Sequence, residues 1–161
     1  MMGAADQRFF DALRAAHYPP DRNFLPAHIT LFHALPPSAL EELERMIVRL
    51  ASEPPPAATL AGVYSLGSGA AFRVDSPGLL AIRERIADHF HGSLTAQDRG
   101  RPRLHITVQN KVAAGEARAL SAALARDFRP RPLGIAGLAA HHYRGGPWEP
   151  AFARNFRGAR T

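Results

Sequence analysis

His28-Ile29-Thr30-Leu31 and His105-Ile106-Thr107-Val108 are near-copies of one another in a chain of 161 residues. Each reads His, apolar, Thr, apolar. Side chains alternate across a strand with a period of two, so in each tetrad the His and the Thr share a face. Ile29 with Leu31, and Ile106 with Val108, take the other face and read as core. A strand that buries two aliphatic side chains and displays an imidazole beside a hydroxyl is uncommon. Two of them in so short a chain point to one site assembled from both.

Outward from the tetrads, the rest of the chain reads as support. Phe9, Phe10, Leu13 and Ala16 recur at helical spacing, which predicts a helix from about Gln7 to His17 that ends at Tyr18-Pro19-Pro20. The first tetrad lies in a predicted strand from Ala27 to Ala34. Ser38 with Glu41 resembles a capping box, opening a helix that carries Leu40, Leu43, Ile47 and Leu50. Strands are expected over Ala58 to Leu66 and Ala70 to Val74, joined by a tight turn at Gly67-Ser68-Gly69. Asp75-Ser76-Pro77 offers a cap and a first-turn proline for a third helix through Phe90. Thr95 to Pro102 is polar and reads as a mobile loop.

The second tetrad sits in a predicted strand from Arg103 to Lys111. A helix from Ala113 to Asp127 and a hairpin of Leu133 to Tyr143 with Trp148 to Phe156 follow, turning at Arg144-Gly145-Gly146-Pro147. The unit of tetrad strand, helix and hairpin therefore occurs twice. This predicts an α+β fold with antiparallel sheets. It would be one bilobal domain over residues 1–161, with lobe one at about 1–90 and lobe two at about 91–161. A pseudo-twofold axis between the lobes would bring both His-Thr faces into one cleft.

Composition limits the alternatives. Apolar residues make up 46% and charged residues 21%, which gives no case for general disorder. Twenty Lys plus Arg against 14 Asp plus Glu give a net charge of +6, and Lys111 is the only lysine. Guanidinium groups suit bidentate phosphate contacts, although an arginine-rich genome would leave the same mark. The absence of cysteine excludes disulfides and thiolate metal sites. No apolar run nears the ~20 residues that cross a bilayer, and the first residues do not read as a signal peptide. A soluble cytoplasmic protein, with no membrane partner and monomeric, is the expectation.

A lone histidine on a strand is more often structural than catalytic; the repetition changes that. One imidazole can take a proton from an attacking group while the other, protonated, gives one to a leaving oxygen. An unperturbed pKa near ~6.5 makes both states accessible at neutral pH. Each positioned transfer is typically worth roughly 10²–10⁴-fold. Thr30 and Thr107 can donate to non-bridging phosphate oxygens where charge develops. Metal binding fits less well. His28 and His33 face opposite ways along a strand, His141 and His142 diverge, His89 and His91 lack a carboxylate at ligand spacing, and no HExxH pattern occurs.

The paired tetrads make the chain resemble the two-histidine (2H) phosphoesterase superfamily, which includes bacterial 2′-5′ RNA ligases and 2′,3′-cyclic phosphodiesterases. The resemblance extends over essentially the whole chain. It implies catalytic roles for His28, Thr30, His105 and Thr107, a reaction needing no metal or other cofactor, and a nucleotide or RNA-end substrate. Relatives commonly open with a strand ahead of the first helix, for which Met1 to Gln7 is a poor candidate, so the start reads as shortened. An alternative is a binding module that holds an RNA end or nucleotide in the same cleft without chemistry. Its weakness is that phosphate binding alone would be served as well by arginine or lysine.

Lesser candidates surround the tetrads. Arg73 could hold a phosphate if it points into the cleft, or could be a solvated strand residue. Tyr143 and Trp148 flank the second hairpin turn and could stack on a base, or could serve core or hairpin-tip packing. Phe32 shares the parity of His28 and Thr30, and Gln109 that of His105 and Thr107, so both are expected at the border of the site. Arg99, Arg101 and Arg103 could steer an anion or simply be solvated.

Overall fold

The structure, a computed structural model, describes residues 1–143, 145 and 148–159. Among these residues four α-helices and six strands follow in order: α1 (Ala4–His17), α2 (Leu40–Ala51), β1 (Thr59–Ser65), β2 (Ala70–Asp75), α3 (Pro77–His89), β3 (His105–Gln109), α4 (Ala114–Arg126), β4 (Arg131–Pro132), β5 (Gly137–Tyr143) and β6 (Trp148–Asn155). They build the expected α+β fold. An antiparallel sheet has the order β3-β2-β1-β4, and β5 and β6 form a second antiparallel pair. The larger sheet joins the two halves of the chain, because the β1–β2 hairpin precedes the second tetrad and yet pairs with it.

Alternation decides which face of that sheet is dry. Phe72 and Val74 of β2 and Ile106 and Val108 of β3 are buried, while Arg73 and Asp75 are exposed. On the dry face, Phe10 of α1 meets the Phe72 ring edge-on at 5.3 Å, and Phe128, just after α4, lies 5.9 Å from it. Phe10 and Ile106 are fully buried, and such a side chain contributes roughly 1.5–3 kcal/mol. With α1 and α4 covering one face, the other is left for chemistry.

Most of the local signals hold. Ser76 caps α3, its Oγ accepting the Leu79 N–H at 3.2 Å and donating to the Ala57 carbonyl at 2.7 Å. The Gly67-Ser68-Gly69 turn closes with Leu66 N donating to Gly69 O at 2.7 Å, and Gly67 takes a φ of 83°. Gly69 is required by crowding: a Cβ there would stand 2.0 Å from the Gln109 carbonyl oxygen. Of the second hairpin turn, Arg144, Gly146 and Pro147 lie outside the described residues. Ser38 does not cap α2; Pro37–Ala39 form a 3₁₀ turn leading into it.

The first tetrad departs from expectation. Instead of a strand over Ala27 to Ala34, a single antiparallel bridge joins Ile29 to Ile106. The backbone groups that would extend a ladder are held by side chains. Asp11 accepts the Ala27 N–H at 2.6 Å and Gln7 donates to the Ala27 carbonyl at 2.9 Å. At the other end Asp98 accepts the N–H groups of His33 and Ala34 at 3.0 and 3.1 Å. Asp98 is 3% exposed, so Thr95 to Pro102 is anchored at its centre and does not behave as the free loop its polarity predicts.

The start of the chain is more engaged than its sequence promises. Met2 bridges Ile135, Gly3 N donates to Gly134 O at 2.8 Å, and Ala136 N donates to Met1 O at 3.0 Å. The short β4 is not expected from the sequence, where Pro130 and Pro132 flank its single remaining residue. At a sheet edge Pro132 needs no N–H, and Arg131–Pro132 pairs with Leu60 and Thr59.

Candidate active site

Four polar side chains of the tetrads meet through the Ile29–Ile106 bridge. Its antiparallel register, continued by one residue each way, sets His28 across from Thr107 and Thr30 across from His105. Ile29 and Ile106 pack into the core. The two His-Thr pairs therefore occupy the uncovered face, side by side.

Both imidazoles are fixed by the same device. His28 Nδ1 lies 2.8 Å from the Pro26 carbonyl oxygen, and His105 Nδ1 lies 2.7 Å from that of Arg103. A carbonyl can only accept, so each Nδ1 carries the proton and donates it. In the neutral ring Nε2 is then left with its lone pair, and each ring has one nitrogen committed to the backbone and one free for proton transfer.

The surroundings of the two rings differ. Solvent reaches an edge of His28, but protein packs closely around the rest of it. That burial, foremost, lowers its pKa below the usual histidine value, and the positive charge of Arg14 and that of His141 act in the same direction. The Pro26 hydrogen bond opposes them without prevailing. His105 stands edge-to-face with Tyr64, ring centroids 5.8 Å apart. Burial raises the Tyr64 pKa, offset in part by the charge of Arg103.

Arg14 links the halves of the site. It is 5% exposed, donates from Nη1 to the Thr107 carbonyl at 2.9 Å, and grips Asn23 Oδ1 from Nε and Nη2 at 3.1 and 2.8 Å. Its guanidinium also lies over the Tyr18 ring at 4.2 Å. Neither Arg14 nor Tyr64 stands out in the sequence, and His141 drew notice there only as a poor metal ligand. Arg14 carried a signal, standing four residues after the buried Phe10 on the inward stripe of α1. Tyr64 shows only in the sheet register, where it pairs with Ala71.

The other sequence candidates divide. Arg73 is paired with His105 across β2 and β3 and so shares its face; it is exposed and bonded to Asp75 at 3.3 Å. Gln109 does not share the face of Thr107. Ala71 pairs with Thr107 but Ala70 pairs with Gln109, so a β-bulge at Val108 breaks the alternation. Gln109 turns inward, 2% exposed, and donates to Glu116 Oε1 at 3.0 Å. Phe32 packs against the core with the Arg83 guanidinium 4.9 Å over its ring. Tyr143 is 64% exposed at the end of β5, 4.8 Å from the Trp148 ring, which is the hairpin-tip packing weighed against base stacking.

Among the described residues, no three His, Cys, Asp or Glu side chains converge as a metal site. No helix among them is long and apolar enough to cross a membrane.

Two comparisons with known proteins found matches. A family model described as the 2′-5′ RNA ligase superfamily matches residues 3–147, a span holding both tetrads. Among solved structures, the chain is similar to TT0787 of Thermus thermophilus, at 19% identity and a TM-score of 0.55. That similarity covers 94% of this chain and 93% of the other, and at such identity it speaks to the fold. No curated protein matches the chain.

Proposed function

The chain belongs to the 2′-5′ RNA ligase superfamily, and on that footing we propose that it is a metal-independent phosphoesterase acting on a cyclic or 2′-5′ phosphodiester of an RNA end or nucleotide. The observation that carries this reading is the matched pair of imidazoles, each held through Nδ1 by the carbonyl two residues earlier. Two Nε2 atoms held this way can take up and give a proton in turn, which is what general acid–base catalysis requires.

In hydrolysis of a 2′,3′-cyclic phosphate, a water oxygen attacks phosphorus while its proton passes to one Nε2. The phosphorus–oxygen bond to one ribose hydroxyl breaks, and the second, protonated imidazole delivers a proton to that leaving oxygen. The products are a phosphomonoester and a free hydroxyl. Thr30 and Thr107 donate to the non-bridging oxygens as negative charge grows on them. We assign the base to His28, because burial and the charge of Arg14 favour its neutral form. His105 is then the acid.

The test is turnover of the four nucleoside 2′,3′-cyclic phosphates in excess EDTA, with His28→Ala as the control for contaminating activity. Hydrolysis that survives EDTA and disappears in the variant supports the reading. Activity lost to EDTA and restored by a divalent cation would overturn the metal-independent mechanism.

A further inference from the structure

Beside His105 the surface opens into a groove of about 430 Å³ between β2, the start of α3 and residues 101–104. That volume falls within the roughly 300–1,000 Å³ of small-molecule sites. Two residues tie the groove to the candidate active site. Arg73, on its wall, pairs with His105 across the sheet, and Arg103, also on its wall, supplies the carbonyl that orients the His105 ring.

Its chemistry is mixed in a specific way. Leu80 and Pro102 offer an apolar floor, and Arg73, Arg101 and Arg103 line the walls with Asp75 and Glu84. Asp75 is engaged with Arg73 at 3.3 Å. Arg101 and Arg103 are both exposed, and among the described residues neither guanidinium has a carboxylate or hydrogen-bond partner. Two unpartnered guanidinium groups over an apolar floor suit a ligand that alternates phosphate with flat, largely apolar rings.

We propose that this groove is a subsite for the nucleotide next to the scissile phosphate, so that the substrate is an oligonucleotide end and not a free mononucleotide. The inference rests on the phosphoesterase reading above for where the scissile phosphate lies. The phosphate of the neighbouring nucleotide meets Arg101 and Arg103, and its sugar and base lie along Leu80 and Pro102. Because these cations are exposed and Glu84 faces the same groove, the added affinity is salt-sensitive.

The experiment compares a fluorescent decaribonucleotide ending in a 3′-phosphate with a nucleoside 3′-phosphate, using wild type, Arg101→Glu and Glu84→Arg. Both positions are exposed and lie outside the His-Thr constellation, so both variants fold as wild type does. The decamer should bind wild type at least tenfold more tightly than the mononucleotide at low salt. Arg101→Glu should weaken the decamer roughly three- to tenfold and flatten its salt dependence, each lost phosphate contact removing about 0.7 from the log–log slope. Glu84→Arg should tighten it, and mononucleotide affinity should be equal in all three proteins. Equal affinity for decamer and mononucleotide, or a decamer affinity indifferent to both substitutions, would overturn the subsite. Failure of the chemistry reads out separately: charge-dependent decamer binding without turnover of any cyclic phosphate keeps the groove and removes the phosphoesterase.

Discussion

The two tetrads carry the same chemistry on different supports. The second is a strand inside a hydrogen-bonded sheet, with β2 on one side and Ile29 on the other. The first has one bridge to that strand and otherwise hangs from side chains: Asp11 and Gln7 at Ala27, Asp98 at His33 and Ala34. A ladder fixes a residue by repetition, so losing one bond matters little. Side-chain anchors fix it by a few bonds, those to Asp11 and Asp98 charge-assisted, and each matters more. His28 therefore depends on residues distant in the chain, whereas His105 depends mainly on its neighbours.

The comparison breaks most sharply at the histidines themselves. His28→Ala and His105→Ala should each lower kcat/KM on a cyclic phosphate by roughly 10²–10⁴-fold, with thermal unfolding close to wild type. Either variant retaining full activity would remove the symmetry on which the mechanism rests. The next effect is asymmetric. Asp98→Ala leaves the His33 and Ala34 N–H groups without their acceptor and should cost roughly 2–3 kcal/mol in urea unfolding. It should also depress turnover at temperatures where the protein is still folded, because the first tetrad loses its far anchor. Asp98→Asn, which keeps one acceptor oxygen, should recover part of both.

Asp98 also supplies a pH dependence. Burial opposes its ionisation, but the hydrogen bonds from His33, Ala34 and Thr95 outweigh burial and pull its pKa below the ordinary carboxylate value. A group depressed in the folded state contributes stability that is complete above its unfolded pKa of about 4 and is lost as pH falls through the folded value. Urea midpoints for wild type should therefore drop from pH 5 toward pH 3 more steeply than those of Asp98→Asn. Parallel curves would assign the anchor no ionic character.

The asymmetry also explains what the sequence could and could not disclose. Strict alternation from His105 to Val108 announced both the strand and its His-Thr face, because a ladder obeys period two. The face of the first tetrad was legible by the same rule, since Ile29 alone suffices to set it. That its strand would shrink to one bridge was not legible, because the competing partners Asp11 and Asp98 lie far away in sequence and reveal themselves only on folding. Gln109 was misplaced because period two was carried across a bulge, and nothing in Thr107-Val108-Gln109 marks one. Arg14 has no mark in the sequence beyond its spacing from Phe10, which puts it on the inward stripe of α1.

A finer distinction lies in the charge near each ring. Burial is the main cause of the lowered His28 pKa, with Arg14 next among the groups that lower it. If His28 is the base, the acidic limb of kcat/KM against pH reports its ionisation in the free enzyme. Arg14→Gln removes a positive charge that disfavours the imidazolium, so the His28 pKa rises and that limb moves to higher pH. A limb that stays in place while activity falls would mean that Arg14 acts only by holding Thr107 and Asn23, and would return the choice of base to either histidine.

The smallest expected effect concerns Tyr64, the ring that His105 has and for which His28 shows no counterpart among the described residues. An edge-to-face aromatic pair is worth about 0.5–1.5 kcal/mol beyond its buried area. Tyr64→Phe preserves the pair and should leave kcat within about twofold of wild type. Tyr64→Ala releases one side of the His105 ring and should cost roughly two- to tenfold in kcat with little change in KM. Its hydroxyl has no hydrogen-bond partner among the described residues, so a large loss in Tyr64→Phe would show that this hydroxyl touches substrate. The second tetrad would then contribute a third polar group to the reaction, and the two halves of the site would differ in chemistry as well as in support.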